Sequence, residues 1–324
     1  MKGKYSVTIQ NKRFHYRFEI RRNLTIIKGD SATGKTTLVD MVREYYQNGS
    51  SSGITIQCEK ECVILEGRNW QLELKTIQDS IVFIDEGNAF VSSVEFASQI
   101  QHTNNYYVIV TRESLPALPY SVEEIYGIRN SGKYGTLKRT YNELFHIYSM
   151  ESSENKIKPQ KVLTEDSNAG YQFFSHICKE NALACETSKG KSNIYSFLEK
   201  HQMENILVIA DGAAIGSEID KIMKLTGVRK NIALYLPESF EWMILKTGLL
   251  NDKELKEILV EPEQYIESEK YFSWERFFTD LLVQTSKGTY LQYSKKTLPL
   301  AYLKGTVVKR ILNVIKNVDF EWKK

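Results

Sequence analysis

The segment Gly29-Asp30-Ser31-Ala32-Thr33-Gly34-Lys35-Thr36 follows directly on the apolar run Leu24-Thr25-Ile26-Ile27, and a helical pattern starts at Thr37. A G-x-x-x-x-G-K-[ST] loop between a strand and a helix commits its neighbourhood to an α/β sheet and creates a place for a nucleoside triphosphate. Backbone N–H groups of the loop surround the phosphates, and the helix N-terminus adds partial positive charge. Lys35 is the residue to reach the β- and γ-phosphates, and the Thr36 hydroxyl is the one to bind Mg²⁺. Gly29, Asp30, Ser31, Ala32, Thr33, Gly34, Lys35, Thr36 and Thr37 are therefore the candidate cofactor-binding residues, with ATP and Mg²⁺ as cofactors. No Asn-Lys-x-Asp segment that would read guanine is present, which favours ATP over GTP.

Around this loop the first half alternates between strand and helix patterns. Tyr5–Gln10 and Arg13–Glu19 predict a hairpin turning at Asn11-Lys12. Leu38, Met41, Val42, Tyr45 and Tyr46 recur at helical spacing after the loop. Gly49-Ser50-Ser51-Ser52-Gly53 breaks the chain, and short strands are expected at Ile54–Gln57, Cys62–Leu65 and Trp70–Leu74. Ile81-Val82-Phe83-Ile84 predicts a buried strand that ends in two acids, Asp85 and Glu86. After a helix over Ala89–Gln101, the strand Tyr107-Val108-Ile109-Val110 ends in Thr111-Arg112. Further hairpin strands are expected over 122–148, with turns at Asn130-Ser131-Gly132 and Lys133-Tyr134-Gly135.

The loop with Asp85-Glu86 resembles the Walker A and Walker B motifs of P-loop NTPases. That resemblance implies that Asp85 holds Mg²⁺, that Glu86 polarises the attacking water, and that Thr111, or less strongly Arg112, senses the γ-phosphate. An acidic turn and an ordinary strand cap are the structural alternatives. The N-terminal strands are similar to those of ABC- and SMC-type ATPases. About fifty residues separate Lys35 from Asp85, however, and no serine-glycine signature segment lies between them. The subfamily, ABC/SMC-like or AAA-like, is left open.

Composition excludes several classes. Over 324 residues the net charge is +3, with no low-complexity tract. No apolar run approaches the roughly 18 residues a membrane span needs, and no secretory leader is visible, so a cytoplasmic protein without a membrane partner is expected. Cys58, Cys62, Cys178 and Cys185 form neither a disulfide framework nor a zinc pattern and are expected to be buried free thiols. Residues 1–22 carry seven Lys or Arg and one acid, Glu19. Alternation over Arg13-Phe14-His15-Tyr16-Arg17-Phe18-Glu19-Ile20-Arg21 puts aromatics on one strand face and charges on the other. That charged face is either a solvated surface or a nucleic-acid contact.

The polar stretch Glu151–Lys156, followed by Pro159, marks the strongest domain boundary. Beyond it strands at Lys161–Thr164, Ala182–Glu186, Ile206–Ala210 and Ile232–Leu236 alternate with helices over Ala169–Glu180, Lys191–His201 and Ser217–Leu225. Such alternation predicts a parallel sheet with ligand chemistry at the strand carboxyl ends. Glu165-Asp166 and Asp211-Gly212 occupy two of those ends. The order resembles the Toprim domain, found in topoisomerases, primases and OLD-family nucleases. The resemblance implies that Glu165 and Asp211 hold Mg²⁺ and are catalytic. It departs at Ala213, where the family has a second aspartate, so Asp166, Glu218, Asp220, Glu238 or Glu241 would have to compensate, unless these acids only favour helix starts.

After 248, helices are expected over Asp252–Leu259, Ser273–Gln284 and Leu298–Ile315. Leu300, Leu303, Val307, Ile311, Val314 and Ile315 would be the buried stripe of the last, with Lys304, Lys309, Arg310 and Lys316 outside it. The expected plan is α/β throughout: a P-loop NTPase sheet with added hairpins over 1–150, a Toprim-like parallel α/β domain over 158–248 and a helical extension over 249–324. By resemblance to OLD-family proteins, the expected activity is ATP hydrolysis, catalysed through Lys35 and Glu86, coupled to Mg²⁺-dependent cleavage of nucleic acid. DNA is the more expected target than RNA, phage defence a setting by analogy, and a homo-oligomer or partner protein the expected assembly. The alternative is a nucleotide-driven switch that binds a partner through an inactive second domain. A small-molecule kinase is disfavoured by the lack of an arginine-rich lid.

Overall fold

The computed structural model describes residues 1–29, 33–131, 139–148, 157–250 and 253–315. The chain divides into two compact units: Met1–Tyr148 with Glu261–Phe272, and Ser149–Val260 with Ser273–Lys324. The stretch 249–324 is thus shared between the two.

In the first unit nine strands form one mixed sheet. They are β1 (Tyr5–Gln10), β2 (Phe14–Ile20), β3 (Leu24–Ile27), β4 (Thr55–Gln57), β5 (Glu61–Ile64), β6 (Ser80–Ile84), β7 (Tyr106–Val110), β8 (Ile125–Asn130) and β9 (Thr140–His146). Their order is β4-β1-β2-β9-β8-β3-β7-β6-β5. Between β8 and β5 the neighbouring pairs are parallel, and these strands are buried almost throughout, as the unbroken apolar runs at β3, β6 and β7 require. At the other end, β1 and β2 alternate, with Val7, Ile9, Tyr16, Phe18 and Ile20 inside. The turn is at Asn11, whose Oδ1 accepts from Arg13 N and Phe14 N, both at 2.8 Å.

Helix α1 (Lys35–Asn48) buries Leu38, Val39, Met41 and Val42 against the sheet, and Gly49 ends it. Trp70–Leu74, expected as a strand, is a short helix, α2. Its apolar ends lie four residues apart, so one helical face buries Trp70 and Leu74, and the Trp70 ring stacks on Phe90 at 4.9 Å. The helix expected over Ala89–Gln101 is divided: a 3₁₀ turn at Ala89–Ser92 precedes α3 (Val94–Ile100), because Ser93 is extended and its Oγ caps Phe96 N. Glu261–Phe272 is tied into this unit: Asn23 Nδ2 donates to Ser268 O at 2.9 Å and Gly3 N to Glu263 O at 2.7 Å.

In the second unit β10 (Lys161–Thr164), β11 (Ala184–Thr187), β12 (Ile206–Ile209) and β13 (Ile232–Tyr235) form a parallel sheet in the order β11-β10-β12-β13. Its helices are α4 (Ala169–Glu180), α5 (Ile194–Lys200), α6 (Gly216–Val228), α7 (Phe240–Lys246), α8 (Lys253–Val260), α9 (Trp274–Ser286) and α10 (Gly305–Leu312). A 3₁₀ turn at Lys191–Asn193 replaces the first turn expected of the helix over Lys191–His201. The single helix expected over Leu298–Ile315 is a 3₁₀ turn at Leu300–Leu303 and then α10, with Lys304 extended between them. The break rotates Leu300 to the surface, while Tyr302, Val307 and Ile311 stay inside. Lys316, the turns at 132–135 and the boundary at 151–156 lie outside the described residues. Of the four thiols, Cys62 and Cys178 are buried, and Cys58 and Cys185 only half-buried. No helix of the described residues is long and apolar enough to cross a membrane.

Candidate functional site

In the first unit, β3, β7 and β6 are adjacent and parallel, so their carboxyl ends open on one side. Ile27 pairs with Val110, and Ile84 with Ile109, which sets Asp85 level with Val110 and Glu86 level with Thr111. One strand therefore separates the glycine loop from the acid pair, a spacing of about 10 Å. Asp30, Ser31 and Ala32 lie outside the described residues. Around them, Lys35 is buried, and its Nζ donates to Gly29 O at 2.6 Å and to Thr33 Oγ1 at 3.1 Å. Gly34 has φ 95°, and a Cβ there would stand 3.0 Å from the Tyr16 hydroxyl. That hydroxyl donates to Gly34 O at 2.9 Å, and it is also hydrogen-bonded to the side chains of Asn142 and Thr37. Strands β2 and β9 thus brace the loop from the side. Thr36, at the start of α1, is exposed.

The acid pair is held by arginines. Arg43 on α1 lies 3.7 Å from Asp85 and 2.9 Å from Glu66, so the helix after the loop touches the acids directly. Asp85 Oδ1 accepts from Glu86 N at 2.9 Å. Both Glu86 oxygens accept from Arg112, each at 3.0 Å. Thr111 is buried, and its Oγ1 accepts from Glu113 N at 3.0 Å in a local turn. Asp85, Glu86, Thr111 and Arg112 line a cleft of about 530 Å³, whose described walls do not include Lys35.

In the second unit the chain leaves β10 for β11 on one side and later returns to β12 on the other. The crevice beyond the β10 and β12 carboxyl ends is the point in such a sheet where ligands collect. Glu165 and Asp211 meet there, Asp211 N donating to Glu165 Oε2 at 3.1 Å. They share a cavity of about 30 Å³ with Asp166, Glu241 and Lys295, closed from the apolar side by Phe174 and Phe240. That volume holds about one water-sized group.

Both residues keep some surface at the cavity mouth, but desolvation of their carboxyl heads dominates. Burial pushes Glu165 up to about 7, with Glu275 and Asp166 adding to the shift and the Asp211 amide and Lys191 opposing it. Asp211 is raised well above the usual aspartate range by burial, and then by Glu275, Glu165 and Glu241. Burial works against the Lys295 ammonium, yet Glu275, Glu241 and Asp211 together hold it above the ordinary lysine range. Its Nζ lies 2.6 Å from Glu275. Lys191 is lowered by burial, despite Glu165, Glu218 and Glu275, and its Nζ donates to Ala214 O at 2.9 Å.

No protein-family model and no curated protein matches this chain.

The other acids named from sequence have separate places. Asp166 accepts from Asn168 N and Nδ2 at 3.2 and 2.8 Å, which occupies it at the start of α4. Glu241 faces the cavity and accepts from the Tyr293 hydroxyl at 2.7 Å. Glu218 is buried on α6, Asp220 half-buried, and Glu238 buried; none of the three lines the cavity, and neither does Ala213. Among the described residues no three His, Cys, Asp or Glu side chains gather as a metal cluster. The donors present are all oxygens, which suits a hard cation such as Mg²⁺ held by two carboxylates and water. Lys295 already supplies part of the positive charge.

Sequence reasoning missed Tyr16, Asn142 and Arg43 at the first site, and Lys295, Glu275 and Tyr293 at the second. Tyr16 carried a signal, as an aromatic on the inward face of β2. Lys295 and Glu275 lie more than a hundred positions beyond Glu165, and no local pattern joins them.

Proposed function

We propose that the first unit binds and hydrolyses ATP, and that the second is a Toprim-like domain which cleaves phosphodiesters, the order seen in OLD-family proteins. The observation that supports this best is the pairing of Glu165 with Asp211 at the switch point of a parallel sheet. It puts two desolvated carboxyls where such a sheet presents its chemistry.

In the first unit Lys35 and the loop amides would bind the phosphates, Thr36 and Asp85 would hold the ion, and Thr111 lies between the loop and the acids. Glu86 orients the attacking water once Arg112 releases it. In the second unit Glu165 and Asp211 would hold Mg²⁺, which when bound neutralises charge on a scissile phosphate. Lys295 adds a fixed positive charge beside them, and the Tyr293 hydroxyl keeps Glu241 turned inward.

Purified protein incubated with labelled DNA or RNA, Mg²⁺ or Mn²⁺, and with or without ATP, tests the whole reading. The expected result is cutting that Glu165→Gln and Asp211→Asn abolish, while Lys35→Ala abolishes ATP binding. No cutting under any condition removes the nuclease. Cutting that survives both carboxylate variants removes the site assignment.

A second reading is a nucleotide-dependent switch whose second domain only recognises a partner. Ala213 in place of an acid, and Lys295 in the cavity, favour it. ATPase activity stimulated by a protein and not by nucleic acid would be its signature.

A further inference from the structure

The β1-β2-β9-β8 end of the first sheet has one face in the core and one in solvent. On the solvent face, His15 and Tyr141 pair across β2 and β9 with ring centroids 4.8 Å apart. Next in register are Arg17 and Glu143, and Glu143 accepts from Arg129 of β8 at 3.0 Å. Arg129 also lies over the Phe145 ring, 5.2 Å from its centroid. That ring lies flat on the sheet because Gly127 is opposite; a Cβ there would stand 2.5 Å from it. Arg139, at the rim, donates to Gln10 Oε1 at 3.2 Å. Glu19 is matched by Lys4 at 3.7 Å. Arg13, Arg17, Arg129 and Arg139 therefore outweigh the one further acid, Glu143. The excess is felt at His15, which burial and then Arg139 and Arg17 push below the ordinary histidine range. Arg17 is exposed and forms no hydrogen bond or ion pair with another described residue.

We propose that this face binds a single-stranded nucleic acid, bases against the His15–Tyr141 and Phe145 rings and phosphates on Arg17, Arg129 and Arg139. Guanidinium groups alone would fit any polyanion. Half-exposed rings between them offer what unpaired bases use and what an acidic peptide does not. A duplex keeps its bases stacked within itself and gains nothing from the rings. The binding needs neither nucleotide turnover nor cleavage, so it is read in EDTA and without ATP, and it stands or falls apart from the proposed activities.

The test is fluorescence anisotropy of the full chain with labelled dT and U 20-mers between 50 and 200 mM NaCl. Arg17→Gln/Arg129→Gln is expected to weaken binding about tenfold or more and to flatten the salt dependence by about 1 to 2 in log–log slope. Tyr141→Leu is expected to weaken binding about tenfold with the slope unchanged. Lys309→Gln, on α10, is expected to stay within about twofold. If the double variant melts well below the parent, Arg17→Gln alone is read, since that side chain has no hydrogen-bond or ion-pair partner among the described residues to lose. Absence of binding at 50 mM salt, indifference to the arginine variants, indifference to Tyr141→Leu, or equal competition by polyglutamate would each overturn the proposal.

Discussion

Each unit ends its central strands in a pair of acids, and the two pairs are built in opposite ways. Asp85 and Glu86 open on a broad cleft, and each has an arginine partner, Arg43 and Arg112. Glu165 and Asp211 sit at a cavity of about 30 Å³, with each other and Glu275 as close sources of like charge. The first pair is neutralised by side chains that can swing away. The second carries a standing electrostatic cost, which protonation or a cation relieves. Identical residue types at equivalent strand ends are thus prepared for different work.

The largest contrast is expected in turnover. Glu86→Gln should lower ATP hydrolysis by about 10²–10³-fold while ATP affinity, by equilibrium binding, stays near that of the parent. Equal loss of affinity would mean that Glu86 holds the cofactor and is no base.

Next in size is the removal of the cation beside the buried pair. Lys295→Met leaves Glu275, Glu241 and Asp211 without their ammonium and is expected to cost about 2–3 kcal/mol at pH 8, below the figure for a fully buried pair because Lys295 is part-exposed. Urea unfolding measures it, and no loss would mean that Lys295 does not balance the cavity.

A smaller, pH-dependent effect follows from Glu165. Its carboxyl in the fold titrates near 7 against an ordinary 4.5, so over that window the folded chain keeps a proton that the unfolded chain has released. Stability of the metal-free protein then falls as pH rises from about 4.5 to about 7, and the loss levels off above. Glu165→Gln is expected to raise Tm in EDTA by about 5 °C at pH 8 and to leave it unchanged at pH 4. Mg²⁺ should raise the Tm of the parent at pH 8 and not that of the variant. A parent whose Tm climbs through the same window would reverse the assignment.

The smallest effect belongs to the open pair. Arg112→Ala breaks a surface contact worth at most about 1 kcal/mol, so Tm should move by no more than about 3 °C. A larger drop would show the first site to be as enclosed as the second.

Much of this fold was legible because local chemistry dictates it. The unbroken apolar run Ile81–Ile84, closed by two acids, reads as a central strand, and the glycine loop ending in Gly34-Lys35 reads as a helix start; both are found so. The turn at Asn11 was equally local. Errors arose where one pattern serves two structures: Trp70 and Leu74 fit a strand face and a helix face alike, and the neighbouring Phe90 ring decides. Leu298–Ile315 kept helical spacing through Lys304, whose extended backbone no side-chain pattern announces. At the sites, the acids were visible because they follow strands. Arg43 and Lys295 were not, because their roles come from the turn of a helix and from a return of the chain.

Glu261–Phe272 carries a practical consequence. The chain leaves the first unit after Tyr148, comes back for twelve residues, and leaves again. A fragment cut near residue 150 would lack the carbonyls that receive Asn23 and Gly3, together with the buried Ile266, Tyr271 and Phe272. The first unit is therefore not a bead that can be snipped from the string. Its last stitch is sewn only after residues 149–260 of the other unit have been threaded, so ribosomal synthesis begins the second unit before it has finished the first.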